Sequence, residues 1–134
     1  MDIEYSDILH TFLNIINQIK IYHWQTFSYA RHKATDELYG ELNDLIDQFV
    51  EVLTGRIIIE TNNSKFRIKV DTYRFKLIDF TNENEGTNLL IIIKNILEKD
   101  LNLLKVLEGN TDLTNIRDEM LGLINKNGYL FTLN

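Results

Sequence analysis

The sequence contains no cysteine and no proline, and only one tryptophan. Without Cys there is no disulfide, thiolate nucleophile, zinc finger or Cys-ligated cluster. The missing Pro is informative, because long helices exclude Pro from their interiors. No apolar run reaches the ~18 residues of a membrane span. No basic, then apolar, then small-residue leader opens the chain, so an intracellular, cytoplasmic protein is expected. Positive charge is in deficit: 14 Lys and Arg stand against 20 Asp and Glu, a net charge of -6. That balance argues against whole-surface affinity for nucleic acid. What remains is 134 residues, 44% hydrophobic and 25% charged. This fits one globular domain spanning 1–134 whose core is large enough to fold unaided.

Helical periodicity dominates. In the first segment, about Ser6 to Gln25, Ile8, Leu9, Phe12, Ile15, Ile16, Ile19 and Tyr22 recur at three and four, with Ser6 as the expected N-cap. A turn is expected at Gln25–Ser28. The second segment, Tyr29 to Thr54, keeps helical spacing through Leu38, Leu42, Leu45, Ile46, Phe49, Val50 and Leu53, with Gly55 placed as its left-handed stop. Gly40 lies inside this helix, at a cost of roughly 1 kcal/mol against Ala. Close approach of a neighbouring element would explain it. Residues 56–81 change period: Phe66–Val70 and Tyr73–Leu77 alternate, which reads as a β-hairpin or an extended crossover. A third helix is expected over Glu85–Glu108, deeply buried at Leu89–Ile93 and stopped by Gly109. A fourth, capped by Thr111, is expected to run to Tyr129. Two helical hairpins joined by one long connection predict an all-α four-helix bundle with a long crossover, the topology of ferritin-like folds.

The chemistry concentrates on the first two helices. At about 100° per residue, His10 and His23 differ by about 220° and face opposite ways, so His10 reads as a surface or edge histidine. His23 ends the first helix and His32 begins the second, which brings two imidazoles to one end of a helical hairpin. Asp36 follows His32 by four residues and shares its face. Two His and a carboxylate can hold a divalent first-row metal, iron or zinc included. Asp47 and Glu51 form a second i, i+4 pair. With His32 at zero, Asp36, Asp47 and Glu51 fall at about 40°, 60° and 100° on one stripe. Asp36 and Asp47 are nonetheless roughly 16 Å apart along the helix axis, too far to share an ion within one chain. Two copies of the second helix, antiparallel about a two-fold axis, would bring Asp47 and Glu51 of one chain opposite His32 and Asp36 of the other. The plainer reading is a solvated acidic face and a packed His–Trp pair. The Glu-x-x-His pattern of ordinary ferritins is absent.

The stretch His23-Trp24, His32-x-x-x-Asp36-Glu37-Leu38-Tyr39 and Asp47-x-x-x-Glu51 resembles the signature of the Dps family of mini-ferritins. The spacings 32 to 36, 36 to 47 and 47 to 51 match the family's. Thr111–Asp118 resembles the start of its last helix. The resemblance covers the first, second and last helices. It departs at the nine-residue gap from His23 to His32, typically twelve in the family, and at 56–81, where the family carries a short helix. The chain also lacks a Lys-rich N-terminal arm, as a compact, divergent branch of viral or phage type would. The resemblance implies a site between two-fold-related subunits, with His23, His32 and Asp36 from one chain and Asp47 and Glu51 from its neighbour. It implies Fe(II) oxidation by hydrogen peroxide or oxygen, iron storage, and a dodecamer built from dimers. Zinc or manganese would also suit the ligands. Trp24 and Tyr22 are candidate redox neighbours, with packing as the plainer role.

Two other functions remain open from the sequence. One is a structural or DNA-associated assembly protein of the same fold without efficient ferroxidase chemistry. Six of the 14 basic residues, Arg56, Lys65, Arg67, Lys69, Arg74 and Lys76, lie in the central stretch and could meet phosphates. The alternative for them, and the favoured one, is a solvated face that blunts an edge. The other is a helical interaction module without metal.

Overall fold

The computed structural model describes residues 3–71 and 76–133. Among them lie five helices and no strand: α1 (Tyr5–Gln25), α2 (Tyr29–Thr61), α3 (Glu83–Lys99), α4 (Leu101–Leu107) and α5 (Thr111–Leu130). The all-α expectation holds. The stripe read in α1 turns inward as Ile8, Phe12, Ile15, Ile16, Ile19 and Tyr22. It meets Leu38, Leu42, Leu45, Ile46, Phe49 and Leu53 of α2, with Phe12 edge-on to Phe49 at 5.1 Å between ring centroids. Leu113, Met120 and Ile124 of α5 close the same core. At one end Tyr22 stacks on Phe131, just past α5, and bonds Glu83 at the start of α3. At the other, Glu4 N–H donates to Asn102 of α4. Thus α1 and α5 run toward the end from which α2 and α3 depart.

Several boundaries differ from expectation. Glu4, not Ser6, holds the cap position of α1, without a side-chain cap bond. Gly55 does not stop α2; the helix runs to Thr61 and ends at Asn62 with φ 54°. Half-buried Ile57 and Ile58 prolong its apolar face, and Arg56 pairs with Glu60 at 3.8 Å. The third helix begins at Glu83 and divides at Asp100, which ends α3 and caps α4 by accepting from Leu103 N–H at 3.0 Å. Gly109, with φ 74°, is the expected stop. Thr111 is the first residue of α5, and Asn110 holds the cap position. Ile91 and Ile92 are exposed, 53% and 54%, so the deep burial expected of that run belongs to Leu89, Leu90 and Ile93.

The described crossover residues form no strand and make no ladder; Tyr73, Arg74 and part of the second alternating run lie outside them. Its backbone bonds to side chains of α1 instead. Asn14 accepts from Lys76 N–H, and Gln18 both accepts from Ile78 N–H at 3.0 Å and donates to Ile78 C=O at 2.8 Å. Gln25 accepts from Phe80 N–H at 2.7 Å. Amide side chains along one helix thus do for this segment what a partner strand would do. The β-hairpin reading fails for these residues.

Two glycines contrast. A Cβ on Gly86 would lie 2.2 Å from Cζ of Tyr22, so α3 packs on the tyrosine ring only because residue 86 has no side chain. A Cβ on Gly40 would meet nothing within 4 Å. Among the described residues, none makes the close approach expected at Gly40.

Candidate metal centre

A three-residue turn, Thr26–Ser28, separates α1 from α2, and Ser28 caps α2 by accepting from Arg31 N–H at 3.2 Å. The turn sets His23 and His32 face to face, ring centroids 4.0 Å apart and planes 16° from parallel. The nine-residue spacing therefore brings the two imidazoles together. Each ring is fixed by the other residue's backbone. His23 Nδ1 donates to His32 C=O at 2.8 Å, and His32 Nδ1 donates to His23 C=O at 2.8 Å. Thr35 Oγ1 lies 3.1 Å from His23 Nδ1. A carbonyl oxygen only accepts, so both Nδ1 atoms carry hydrogen. In the neutral rings the lone pair then sits on Nε2. Backbone carbonyls that hold Nδ1–H and leave Nε2 as the donor atom are the usual support of metal-bound histidines. His23 is buried and His32 is exposed.

Asp36 lies one turn beyond His32, exposed, and Asp47 and Glu51 are exposed farther along α2. Among the described residues, no three His, Asp or Glu side chains converge closely enough to hold an ion. The chain thus brings the histidines together and leaves the three carboxylates spread along one helix. From Lys33 to Glu51, α2 exposes Asp36, Glu37, Glu41, Asp44, Asp47 and Glu51 against the single cation Lys33.

Trp24 is 68% exposed, and the Lys20 ammonium lies 5.6 Å from its ring centre and 4.5 Å from that of Tyr39. Tyr22 does not adjoin the histidines as a free phenol. Its hydroxyl donates to Glu83 at 2.6 Å and accepts from Arg31 at 3.0 Å, and Phe80 packs edge-on to its ring. Burial raises its pKa above the usual tyrosine value, and the bond to Glu83 adds to the rise. Burial also acts to raise the Glu83 carboxyl, but donors from Tyr22, Thr26 and the Phe27 N–H, with the Arg31 charge, outweigh it and hold the group below its ordinary value. His10 is an edge residue, its ring bonded to the Val70 carbonyl of the crossover. Lys65, Arg67, Lys69 and Lys76 are exposed, and Arg74 lies outside the described residues.

The residues that spacing did not single out are Thr35 and Arg31. Thr35 braces the imidazole pair. Arg31 ties the turn to Glu83 at 3.2 Å and to the Phe131 carbonyl at 3.0 Å. Both flank His32 in sequence, yet their partners lie up to 100 positions away.

The fold and site define an all-α protein with a backbone-braced histidine pair at one end and an acidic helix face beside it. The chain belongs to a family of unknown function, DUF5856, whose model matches residues 23–131. That span begins at His23 and takes in the turn, all of α2 and the crossover. The chain is also similar to the "Uncharacterized 14.6 kDa protein in mobD-ri intergenic region" of Enterobacteria phage T4, 58% identical over 33 residues. The match spans 25% of this chain and 26% of that protein. No solved structure matches. Among the described residues, no helix is long and apolar enough to cross a membrane.

Proposed function

We propose that the chain is a Dps-like ferroxidase and iron-storage protein on a ferritin-like four-helix bundle with a long crossover. The observation that carries this reading is the stacked His23–His32 pair, each Nδ1–H held by the other residue's carbonyl. Such bracing fixes the ring orientation and leaves two Nε2 donors for a divalent first-row ion. Fe(II) is the substrate. His23, His32 and Asp36 bind it from one chain, and Asp47 and Glu51 bind it from a two-fold-related neighbour. The spread of the carboxylates along α2 supports a shared site, since one chain cannot close it alone. Carboxylates suit the ferric product, being hard anionic donors. One hydrogen peroxide accepts two electrons, one from each of two Fe(II), and two protons; its O–O bond breaks and it leaves as two water molecules.

The reading is tested by following Fe(II) oxidation near ~300 nm on the purified protein, with light scattering on the same sample. Rapid, peroxide-accelerated oxidation by a large particle is expected. A large particle without oxidation above buffer would favour an assembly protein that lacks the chemistry.

A further inference from the structure

The ring of four long helices is open along one side. Helices α1 and α2, α2 and α5, and α5 and α3 pack on each other, whereas the backbones of α1 and α3 stay apart. The crossover enters this seam, pinned to α1 where Asn14 accepts from Lys76 N–H and Gln18 bonds both ways with Ile78. Between α1, α3 and the crossover lies a groove of about 250 Å³. Its floor is the core itself, with Ile15 of α1 and Leu89 and Ile93 of α3. Ile78 and Ile92 also line it, and they stand 60% and 54% exposed. Large aliphatic side chains left in water around a core-floored groove are the mark of a surface that a ligand covers.

Charge decides what the ligand is. The chain carries a net charge of -6, yet among the described residues no carboxylate lines this groove. The charged side chain there is Lys76, exposed, and no described acid forms an ion pair with it. Thr11, Asn14 and Gln18 make the rest of the rim neutral. An aliphatic slot with one unpaired ammonium is complementary to an aliphatic tail with one anionic head. A partner helix is too wide, since one turn, about 10–12 Å across and about 5.4 Å long, fills roughly 400–600 Å³. We propose that the groove between α1 and α3 binds a free fatty acid, its tail laid against Ile15, Ile78, Ile92 and Ile93 and its carboxylate accepting from Lys76 Nζ. The site is separate from the histidine pair and does not depend on iron.

The test is calorimetric titration of the full chain in EDTA with octanoate, decanoate, dodecanoate and dodecanol, below their micellar range. Far-ultraviolet dichroism verifies the fold of each variant. One dodecanoate per chain is expected, with up to ~4-fold in affinity gained per methylene along the series. Lys76→Gln is expected to lose at least ~10-fold for dodecanoate and little for dodecanol, because only the carboxylate makes a charge-assisted bond. Ile92→Asn, at an exposed position, is expected to weaken both ligands. Lys94→Gln, an exposed lysine of α3 outside the groove, is the control and is expected to bind as wild type does. Dodecanoate that fails to saturate the wild type by ~1 mM would overturn the proposal. So would binding that Lys76→Gln and Ile92→Asn leave intact, or an equal loss in Lys94→Gln, which would mean unspecific attraction of anions. Binding to phosphatidylglycerol vesicles without binding of free dodecanoate would overturn it in favour of a membrane surface.

Discussion

His23 and His32 hold each other by the backbone: each imidazole Nδ1 lies 2.8 Å from the other residue's carbonyl oxygen, and the rings stack at 4.0 Å. The two changes to Ala should separate structure from ligation. His23→Ala removes a buried donor and is expected to cost about 1–3 kcal/mol of stability. His32→Ala, at an exposed position, is expected to cost under about 1 kcal/mol. Both are expected to weaken Co(II) binding at least ~10-fold, the scale seen when a ligand's support is lost. Thermal melts and a Co(II) titration check this. Unchanged Co(II) affinity in both variants would reduce the pair to packing.

Gly86→Ala places a methyl group where the Tyr22 ring lies, 2.2 Å from Cζ. Either α3 shifts or the tyrosine leaves Glu83 and Arg31. The expected loss is about 1–3 kcal/mol, or roughly 3–12 °C in Tm for a chain of this size. A second change, Tyr22→Phe, keeps the ring and should not relieve the loss.

Glu83 gives stability a definite pH dependence. Its folded pKa is lowered, so its contribution is present above the ordinary carboxyl value near 4.5 and is lost as pH falls through the folded value. Glu83→Gln should flatten this acid limb in denaturant titrations from pH 6 down to ~3. Tyr22 acts at the other end. Its pKa is raised, so the stability it contributes is complete below pH 10 and is lost as pH rises beyond that. An acid limb unaltered in Glu83→Gln would mean that the Tyr22–Glu83–Arg31 cluster does not govern acid unfolding.

The exposed cations of the crossover, Lys65, Arg67, Lys69 and Lys76, give a check on the DNA-associated alternative. Charge reversal at Lys65, Arg67 and Lys69 together is expected to leave Fe(II) oxidation unchanged. Retardation of duplex DNA at low salt that disappears in this variant would favour the alternative, since phosphate contacts fall steeply with salt.

Much of this was legible in the sequence, because local periodicity and burial agree in α1 and α2. The inward stripe from Ile8 to Tyr22 and the meeting of His23 with His32 both follow from spacing and a short turn. The crossover was not legible in the same way. Its alternation looks like a strand, but its backbone partners are the amide side chains of Asn14, Gln18 and Gln25, 55 to 62 positions away. No local pattern separates an amide side chain that binds backbone from one that faces water. Gly55 misled because a glycine just past an apolar stripe is a common stop, whereas Ile57 and Ile58 carry the face on for another turn. Ile91 and Ile92 misled because an unbroken apolar run hides which side of a helix faces the core. The close neighbour that the interior Gly40 suggested is not found among the described residues, whereas the close approach that does need a glycine lies at Gly86, against Tyr22.

The most direct measurement of the central claim is complementation between two inactive variants in Fe(II) oxidation with hydrogen peroxide. One carries His32→Ala with Asp36→Ala, and the other carries Asp47→Ala with Glu51→Ala. Each alone is expected to be inactive. Mixed and allowed to exchange, half of the pairs would be hybrids with one complete site of two, restoring about a quarter of wild-type activity. No recovery after exchange proven by mass, or full activity in either variant alone, would contradict a ferroxidase site shared between two chains.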